Sequence, residues 1–217
     1  LNTASQQGGA VWGRGVVSAS VLRLNVASFL GGAAFGLDEF VSSVAEFNTS
    51  QFWGGGLYLV DTVQDSSLDG NFAPNSGGAA MVVGTLRKTT VTRNSSPAAP
   101  GLVQVGLIED SFVAENIDTS AGRPGAALVI RDGSAAVVRR STLAGDARDT
   151  LQLVGPSDVA VFDSVIVGGV VTGQTSLLEL DRTTLVAGAG QDAIGIDAND
   201  DSAIIAQSTV LDGVGTE

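Results

Sequence analysis

The chain has 217 residues, with 29 glycines, 23 acidic and 11 basic side chains, and neither cysteine nor histidine. Without these two residue types it cannot form a disulfide, a thiolate or imidazole metal site, or a nucleophilic system that depends on cysteine or histidine. A net charge of −12 disfavours nucleic acid and anionic bilayers as partners, because both are themselves negatively charged.

A single domain covering residues 1–217 is the expectation for this length, with enough apolar residues for a core. The longest apolar stretch covers residues 159–171. It contains Asp163 and is shorter than a membrane-spanning helix, so no transmembrane segment is predicted.

A regular 23-residue repeat organises residues 1–100. Glycine pairs recur with this step at Gly8 and Gly9, Gly31 and Gly32, Gly54 and Gly55, and Gly77 and Gly78. Asparagines recur with the same step at Asn2, Asn25, Asn48, Asn71 and Asn94. Two residue types that keep one register over so many intervals indicate repeated structural units.

Residues 101–217 continue the repeat with looser steps. A hydroxyl residue followed by apolar residues recurs at Ser111, Ser141, Ser164, Thr183 and Ser208, at intervals of about 20 to 30 residues. The longest interval contains residues 118–124, which we predict to form a protruding turn. About nine units fit in the whole chain.

The composition of the units predicts short strands. Val, Thr, Ser and Gly are abundant, and turn residues interrupt the apolar segments every few positions. No amphipathic run of three helical turns occurs. A unit of this length is too short for a propeller blade, but it fits one coil of a parallel β-helix. The sequence therefore predicts an all-β solenoid in which each strand pairs with its counterpart one coil away.

Stacking of like residues assigns a role to each column of the repeat. Two apolar columns are predicted to face the interior: Val17, Phe40, Val63 and Leu86, and Leu22, Ala45, Leu68 and Val91. A hydroxyl column of Ser20, Ser43, Ser66 and Thr89 suits one corner. The asparagines are predicted to hydrogen-bond along another corner, and the glycine pairs to adopt backbone conformations that a Cβ forbids.

A column of large residues, Trp12, Phe35, Tyr58 and Met81, has two interpretations. The side chains either fill a wider core or form an outward stripe suited to sugars or to a partner. Small or apolar residues flank the column on both sides, so alternation does not decide between them. We expect the core.

Residues 2–11, 25–33 and 68–79 resemble the repeat of polymorphic outer-membrane proteins and related bacterial right-handed β-helix proteins. That repeat joins an aromatic-x-x-Asn element to a Gly-Gly-Ala-apolar element. The match covers residues 1–100 well and the rest in outline. It departs from the family where Leu22, Ala45, Leu68 and Val91 replace the aromatic residue three places before each asparagine.

This resemblance implies a right-handed parallel β-helix, of about nine coils in a chain of this length. It also implies a secreted or surface-displayed rod, on the outer membrane of a Gram-negative bacterium. The motif residues of the family are structural, so no catalytic residue is carried over.

The densest acidic cluster is Asp197-Ala198-Asn199-Asp200-Asp201. The spacing of Asp197, Asn199 and Asp201 is that of an oxygen-ligand calcium loop, although the glycine and distal glutamate of an EF-hand are missing. A solvated acidic turn remains the alternative. Calcium is the one cofactor that the sequence suggests.

The function predicted from these features is that of a non-enzymatic, extracellular or cell-surface structural or adhesive segment. One alternative is a carbohydrate-active β-helix, a lyase or hydrolase that uses Asp197, Asp200 and Asp201 with an arginine, because carboxylates alone can cleave glycosides. Another is a subunit of a filament or sheath.

The expected partners are other protein chains or flanking domains at the coil ends, and surface glycans. The first and last residues lie inside recognisable repeats, without the cap that normally covers a solenoid end. We therefore expect a segment of a longer β-helix, or one that associates end to end through its open terminal coils.

Overall fold

A computed structural model describes residues 1–120, 123–131, 133–145, 150–172, 175–187, 194–196 and 203–213. Over these ranges the chain forms a parallel β-solenoid of about eight turns and contains no helix. The predicted all-β solenoid is thus confirmed, and its right-handed sense stays a prediction. No described segment is a helix long and apolar enough to cross a membrane.

A coil runs through up to four strand positions, which we name columns A, B, C and D in chain order; the described part of the coils after residue 144 has strands only in columns B, C and D. Column A contains Thr3–Ala4, Val26–Ala27, Thr49–Ser50, Ser95–Ser96, Ile117–Asp118 and Arg123–Pro124. Column D is a nine-stranded sheet of Val21–Arg23, Val44–Glu46, Ser67–Asp69, Thr90–Thr92, Phe112–Ala114, Thr142–Ala144, Val165–Val167, Thr184–Ala187 and Val210–Gly213.

Columns B and C join into one fifteen-stranded sheet. Three long strands, Leu57–Gln64, Ala80–Arg87 and Leu102–Glu109, run through both columns. The remaining strands of column B are Val11–Trp12, Ala34–Phe35, Leu128–Arg131, Leu151–Val154, Val170–Thr172 and Ile194–Ile196. Those of column C are Val16–Ser18, Glu39–Val41, Ala135–Arg139, Asp158–Phe162, Leu177–Asp181 and Ala203–Gln207.

The strands of successive coils pair in parallel and in the register of the repeat. Val17 pairs with Phe40, and Phe40 with Val63. Phe40 and Val63 are fully buried, as are Leu68 and Val91 in the second interior column. In the looser half of the chain the same interior positions hold Ile108, Val138, Val161, Leu180, Val113, Leu143, Ile166 and Leu185.

One described pair of strands is antiparallel. Ile117 lies opposite Pro124, and Asp118 lies opposite Arg123. The residues of this hairpin make its coil longer than the others. The hairpin lies at the position where the sequence predicts a protruding turn.

Single residues in the left-handed backbone region form the corners of the coil. Asp65, Lys88 and Asp110, with φ of 49°, 46° and 51°, connect columns C and D. Phe47 and Arg93, with φ of 53° and 54°, connect columns D and A. Residues with a side chain seldom adopt this conformation. The residue that follows each of them therefore has to stabilise the corner.

A serine or threonine follows each corner between columns C and D. The backbone N–H of Ser43 donates to Oγ of Ser66 in the next coil at 3.1 Å, and the Ser43 hydroxyl donates to the carbonyl of Val41 at 2.7 Å. The same link joins Ser111 to Ser141 and Ser141 to Ser164. The hydroxyl residues of 101–217 thus continue the Ser20 column, which the sequence did not reveal. In the last coil Thr209 holds the column position, and Ser208 is itself the corner residue with a φ of 47°.

An asparagine follows each of the first five corners between columns D and A. The backbone N–H and Nδ2 of Asn25 both donate to Oδ1 of Asn48 at 2.9 Å. Nδ2 of Asn48 donates in turn to Oδ1 of Asn71 and to the carbonyl of Leu22, both at 2.9 Å. The structure places all five predicted asparagines in this column: Asn2, Asn25, Asn48, Asn71 and Asn94. Because their polar groups are paired along the axis, the ladder can lie in the interior.

A sixth asparagine extends this ladder. The backbone N–H of Asn94 donates to Oδ1 of Asn116 at 3.0 Å, and Asn116 is fully buried. The sequence reasoning missed it because the step from Asn94 is 22 residues instead of 23.

The two glycines of each pair are required for different reasons. Gly31 has a φ of +65°, a value that glycine adopts without strain. Gly32 is required by close packing, because a Cβ there would lie 2.0 Å from the carbonyl oxygen of Gly55. The remaining first glycines, Gly8, Gly54 and Gly77, have φ between 62° and 67°, and the remaining second glycines, Gly9, Gly55 and Gly78, have backbone within 2.5 Å of the Cβ position.

Replacing Asn48 by Leu is expected to lower the free energy of unfolding by about 1 to 3 kcal/mol. The change leaves the Asn25 donors and the Leu22 carbonyl without a buried partner. Urea unfolding measures the loss. Asn75→Leu is the control, because Asn75 is exposed outside the ladder. Equal stability of the two variants would contradict a buried ladder.

Gly55→Ala is expected to destabilise the protein by more than about 3 kcal/mol, because the added methyl would lie 2.3 Å from the carbonyl oxygen of Gly78. Gly36→Asn is the control. Gly36 also has a positive φ, of 77°, but its nearest neighbouring atom lies 3.9 Å from the Cβ position. Asparagine tolerates this conformation, so thermal melting should change little. Similar melting temperatures for both variants would show that the glycine pair is not sterically required.

Candidate binding face

The large residues of column B face outward. Trp12 pairs with Phe35, and Phe35 with Tyr58. The rings of Phe35 and Tyr58 stack with centroids 5.6 Å apart and planes 3° apart. Trp12 is 70% exposed, whereas Leu57, the residue before Tyr58, is fully buried.

The expectation that this column fills the core is therefore wrong. Side chains alternate along a strand, so the burial of Ala34 and Leu57 forces Phe35 and Tyr58 to the outside. In the sequence Ala33-Ala34-Phe35, a small residue occupies the interior position and the large one does not. The size of a residue alone therefore does not predict whether its side chain faces the interior or the solvent.

A second aromatic group lies at the corner between columns A and B. The ring centroids of Phe29 and Phe52 are 4.6 Å apart, and Trp53 packs against Phe52 edge to face at 6.5 Å. Phe29 is 47% exposed, and Phe52 and Trp53 are each 38% exposed. These residues directly precede the glycine pairs Gly31-Gly32 and Gly54-Gly55. The sequence reasoning did not single out this cluster.

Both aromatic groups lie on a side of the solenoid without charged residues. In each of the first five coils, the segment from the ladder asparagine through column B contains no Asp, Glu, Lys or Arg. The segments are 2–13, 25–37, 48–60, 71–86 and 94–108. We call the outward residues of these segments the neutral face. The charged residues of these coils lie instead along columns C and D and the corners next to them.

Amide side chains accompany the rings of the neutral face. Nε1 of Trp12 donates to Oε1 of Gln7 at 3.1 Å, which fixes the indole against the corner of its coil. Gln6 and Asn75 take the place of Phe29 and Phe52 in the neighbouring coils. The face thus combines apolar rings with neutral hydrogen-bonding groups.

The exposed part of the column ends at Met81. Val103 and Val129 continue the register of Met81, but both are fully buried. They form a separate apolar cluster with Ala99 and Ala126, outside the main core. The chain itself therefore covers this column in the fifth and sixth coils and leaves it open in the first four.

A groove runs beside the neutral face, where the long strands bend between columns B and C. It has a volume of about 520 Å³ and is lined by Leu59, Val82, Gln104 and Ser134. Among its described lining residues, Asp61 supplies the one carboxylate. A glycoside hydrolase needs two carboxylates across its substrate. The described residues of this groove do not supply such a pair.

Ion pairs line the opposite, charged corner between columns C and D. Nε of Arg140 donates to Oδ1 of Asp110 at 2.7 Å, and Nη2 donates to Oε1 of Glu109 at 2.6 Å. Two coils further along, Nε of Arg182 donates to Oδ1 of Asp163 at 2.6 Å. Arg140 is thus a salt-bridge partner that stands at a corner of the coil.

These contacts shift the carboxyl groups toward their charged form. Hydrogen bonds from Arg140 lower the pKa of Glu109 and of Asp110, and a hydrogen bond from Arg182 lowers the pKa of Asp163. Partial desolvation works against the shift in all three groups. The arginines are about half exposed, as is Asp163, whereas the Glu109 side chain is 13% exposed; solvent screening around the arginines keeps the contribution of each pair to stability small.

The acidic cluster at Asp197, Asn199, Asp200 and Asp201 lies outside the described residues. The calcium site and the carbohydrate-active alternative that depend on it stay predictions. Elsewhere in the described part of the chain, no three carboxylates lie close enough together to hold a metal ion.

The charged corner is expected to lose stability in acid. Because the folded-state pKa values of Glu109 and Asp110 are lowered, their contribution is present above the ordinary carboxyl pKa of about 4 and is lost as the pH falls through the folded values. Arg140→Gln should therefore reduce the difference in melting temperature between pH 7 and pH 3. In Arg14→Gln, which removes an exposed pair with Asp38 at 3.6 Å, the difference should stay as in the wild type. If the difference in melting temperature between pH 7 and pH 3 is as large in Arg140→Gln as in the wild type, the ion pairs of Arg140 do not cause the loss of stability in acid.

Comparison with known proteins finds no relative of this chain. No protein family model matches the chain, and neither a curated protein nor a solved structure shows significant similarity to it.

Proposed function

We propose that this solenoid is a non-enzymatic, extracellular or cell-surface segment that works as a rigid adhesive rod. The resemblance of residues 1–100 to the bacterial outer-membrane protein repeat supports the surface location. The neutral face is the observation that carries the adhesive role, because it holds seven of the eleven aromatic side chains, four of them exposed and three half-buried, in segments without charged residues. The seven are Trp12, Phe29, Phe35, Phe52, Trp53, Tyr58 and Phe72.

Exposed aromatic clusters of this kind mark interaction surfaces, since soluble proteins seldom leave contiguous apolar patches open to water. The rings also stand on strands and tight corners that the ladder holds in place. A preorganised surface loses little conformational entropy on binding. Adhesion through the neutral face therefore fits both the chemistry and the rigidity of the rod.

Beads coated covalently with the protein test the adhesive role. We expect them to be retained under flow on at least one of three layers: cultured epithelial cells, mucin or fibronectin. Changing Phe29, Phe52 and Trp53 together to Ser should reduce retention severalfold, because the exposed rings that make the contact are lost. Phe112→Ser is the matched control, since Phe112 is 43% exposed but lies in column D. Equal retention of the triple variant and the wild type would refute the proposal.

Incubation with neutral and acidic polysaccharides tests the non-enzymatic part. No increase in reducing ends and no unsaturated product should appear over the time in which binding is measured. Steady release of either product would instead assign the protein to the carbohydrate-active class.

A further inference from the structure

We propose that the neutral face binds an uncharged glycan chain that lies along the solenoid axis, across the first three coils. This inference rests on the proposed adhesive function and adds the class of ligand. Four side chains carry it: Trp12, Phe29, Phe52 and Trp53.

The chemistry of these side chains matches that of a neutral sugar. A pyranose ring offers an apolar C–H face, which packs on aromatic rings, and hydroxyl groups, which need hydrogen-bond partners. Phe52 and Trp53 pack edge to face and are each 38% exposed, so part of each ring is open to a ligand. The exposed amides of Gln6, Gln51 and Asn75 border these rings and can both donate to and accept from hydroxyls.

The spacing of the rings suits a repeating ligand. Strands of successive coils are about 4.8 Å apart, and the centroids of Phe29 and Phe52, which occupy equivalent positions, are 4.6 Å apart. A sugar unit in an extended glycan advances the chain by a similar length. Successive units can therefore meet equivalent surfaces on successive coils, so that weak contacts add along the chain.

Charge selects against acidic glycans. The protein carries a net charge of −12, and the segments of the neutral face contain no Lys or Arg to pair with a carboxylate or sulfate. The guanidinium of Arg131 reaches Ser76, to which it donates at 3.2 Å, but Ser76 belongs to the fourth coil, beyond the three coils that the proposed glycan crosses. An anionic chain on this face would lose its hydration and gain no counter-charge. Neutral glycans carry no such penalty.

The same composition makes a protein partner less suitable. Protein interfaces concentrate binding energy in a desolvated apolar centre surrounded by a polar rim. Here Gln6 and Asn75 interrupt the column of Phe29 and Phe52 at both ends, at the same outward position. Along the axis the order is therefore amide, ring, ring, amide, so the apolar part is only two rings long and a chain of hydroxyl-bearing units can hydrogen-bond on either side of it.

The backbone under the rings is fixed before binding. The N–H of Phe52 donates to the carbonyl of Phe29 at 3.1 Å, and the N–H of Asn75 donates to the carbonyl of Phe52 at 3.2 Å. Gly54, with a φ of +65°, holds the corner that follows Trp53. The ligand therefore meets rings whose positions the coil has already set.

Isothermal titration calorimetry with defined hexasaccharides tests the inference. The probes are cellohexaose, mannohexaose and chitohexaose as neutral chains, and hexagalacturonate as the acidic one. We expect at least one neutral probe to bind and hexagalacturonate not to bind. Affinity should fall about tenfold or more in a Phe52→Ala, Trp53→Ala double variant and stay within about twofold in Phe112→Ala.

Circular dichroism and thermal melting establish that the double variant is folded. Should it unfold, Trp12→Ala replaces it, because Trp12 is the most exposed aromatic residue and contributes least to packing. Its affinity for the neutral probe is again expected to fall.

Three results would overturn the inference. The first is that no neutral hexasaccharide binds, and the second is that binding is the same in the double variant as in the wild type. The third is self-association of the wild type in sedimentation experiments that the double variant abolishes without any glycan binding, which would assign the face to a second copy of the chain. Bead retention that depends on the rings, without glycan binding, would leave the adhesive role intact and refute only this ligand.

Discussion

The constraint on which the whole molecule depends is that every coil must turn at the same corners while its neighbours lie one strand spacing away. At two corners the turn is made by a residue with a side chain in the left-handed region, which is intrinsically unfavourable. The next residue offsets this cost by bonding to the adjacent coil: an asparagine ladder between columns D and A, and a hydroxyl column between columns C and D. These bonds run along the axis, so each coil fixes the conformation of the next.

The sequence was informative wherever the axial bond dictates residue type. Asn, Ser and paired Gly recur because a side-chain oxygen or a missing Cβ is needed at a fixed point of the coil, and the repeat therefore predicted both the fold and the ladder. The sequence was uninformative where a position accepts side chains of several sizes. Ala34 and Phe35 lie on opposite faces of one strand, but nothing in their local pattern says which is inside.

The candidate face could be predicted only in part. The charge-free segments are visible in the sequence, yet they become a surface only when the register aligns residues 25–37 with residues 48–60 on one side of the rod. The continuous hydroxyl column was hidden for a related reason. The insertion at residues 118–124 changes the step, and the corner geometry alone shows that Ser141 continues the column of Ser111.

The buried ladder also determines how the chain responds to protein glycosylation. Asn48-Thr49-Ser50 and Asn94-Ser95-Ser96 both match the acceptor sequence for N-linked sugars. In the folded protein both amides are fully buried and bonded to the neighbouring coils, so a transferase cannot reach them. A sugar added to the nascent chain would instead block two steps of the ladder before it forms. A eukaryotic secretory host would therefore yield misfolded protein, whereas a host without this modification would not encounter the conflict.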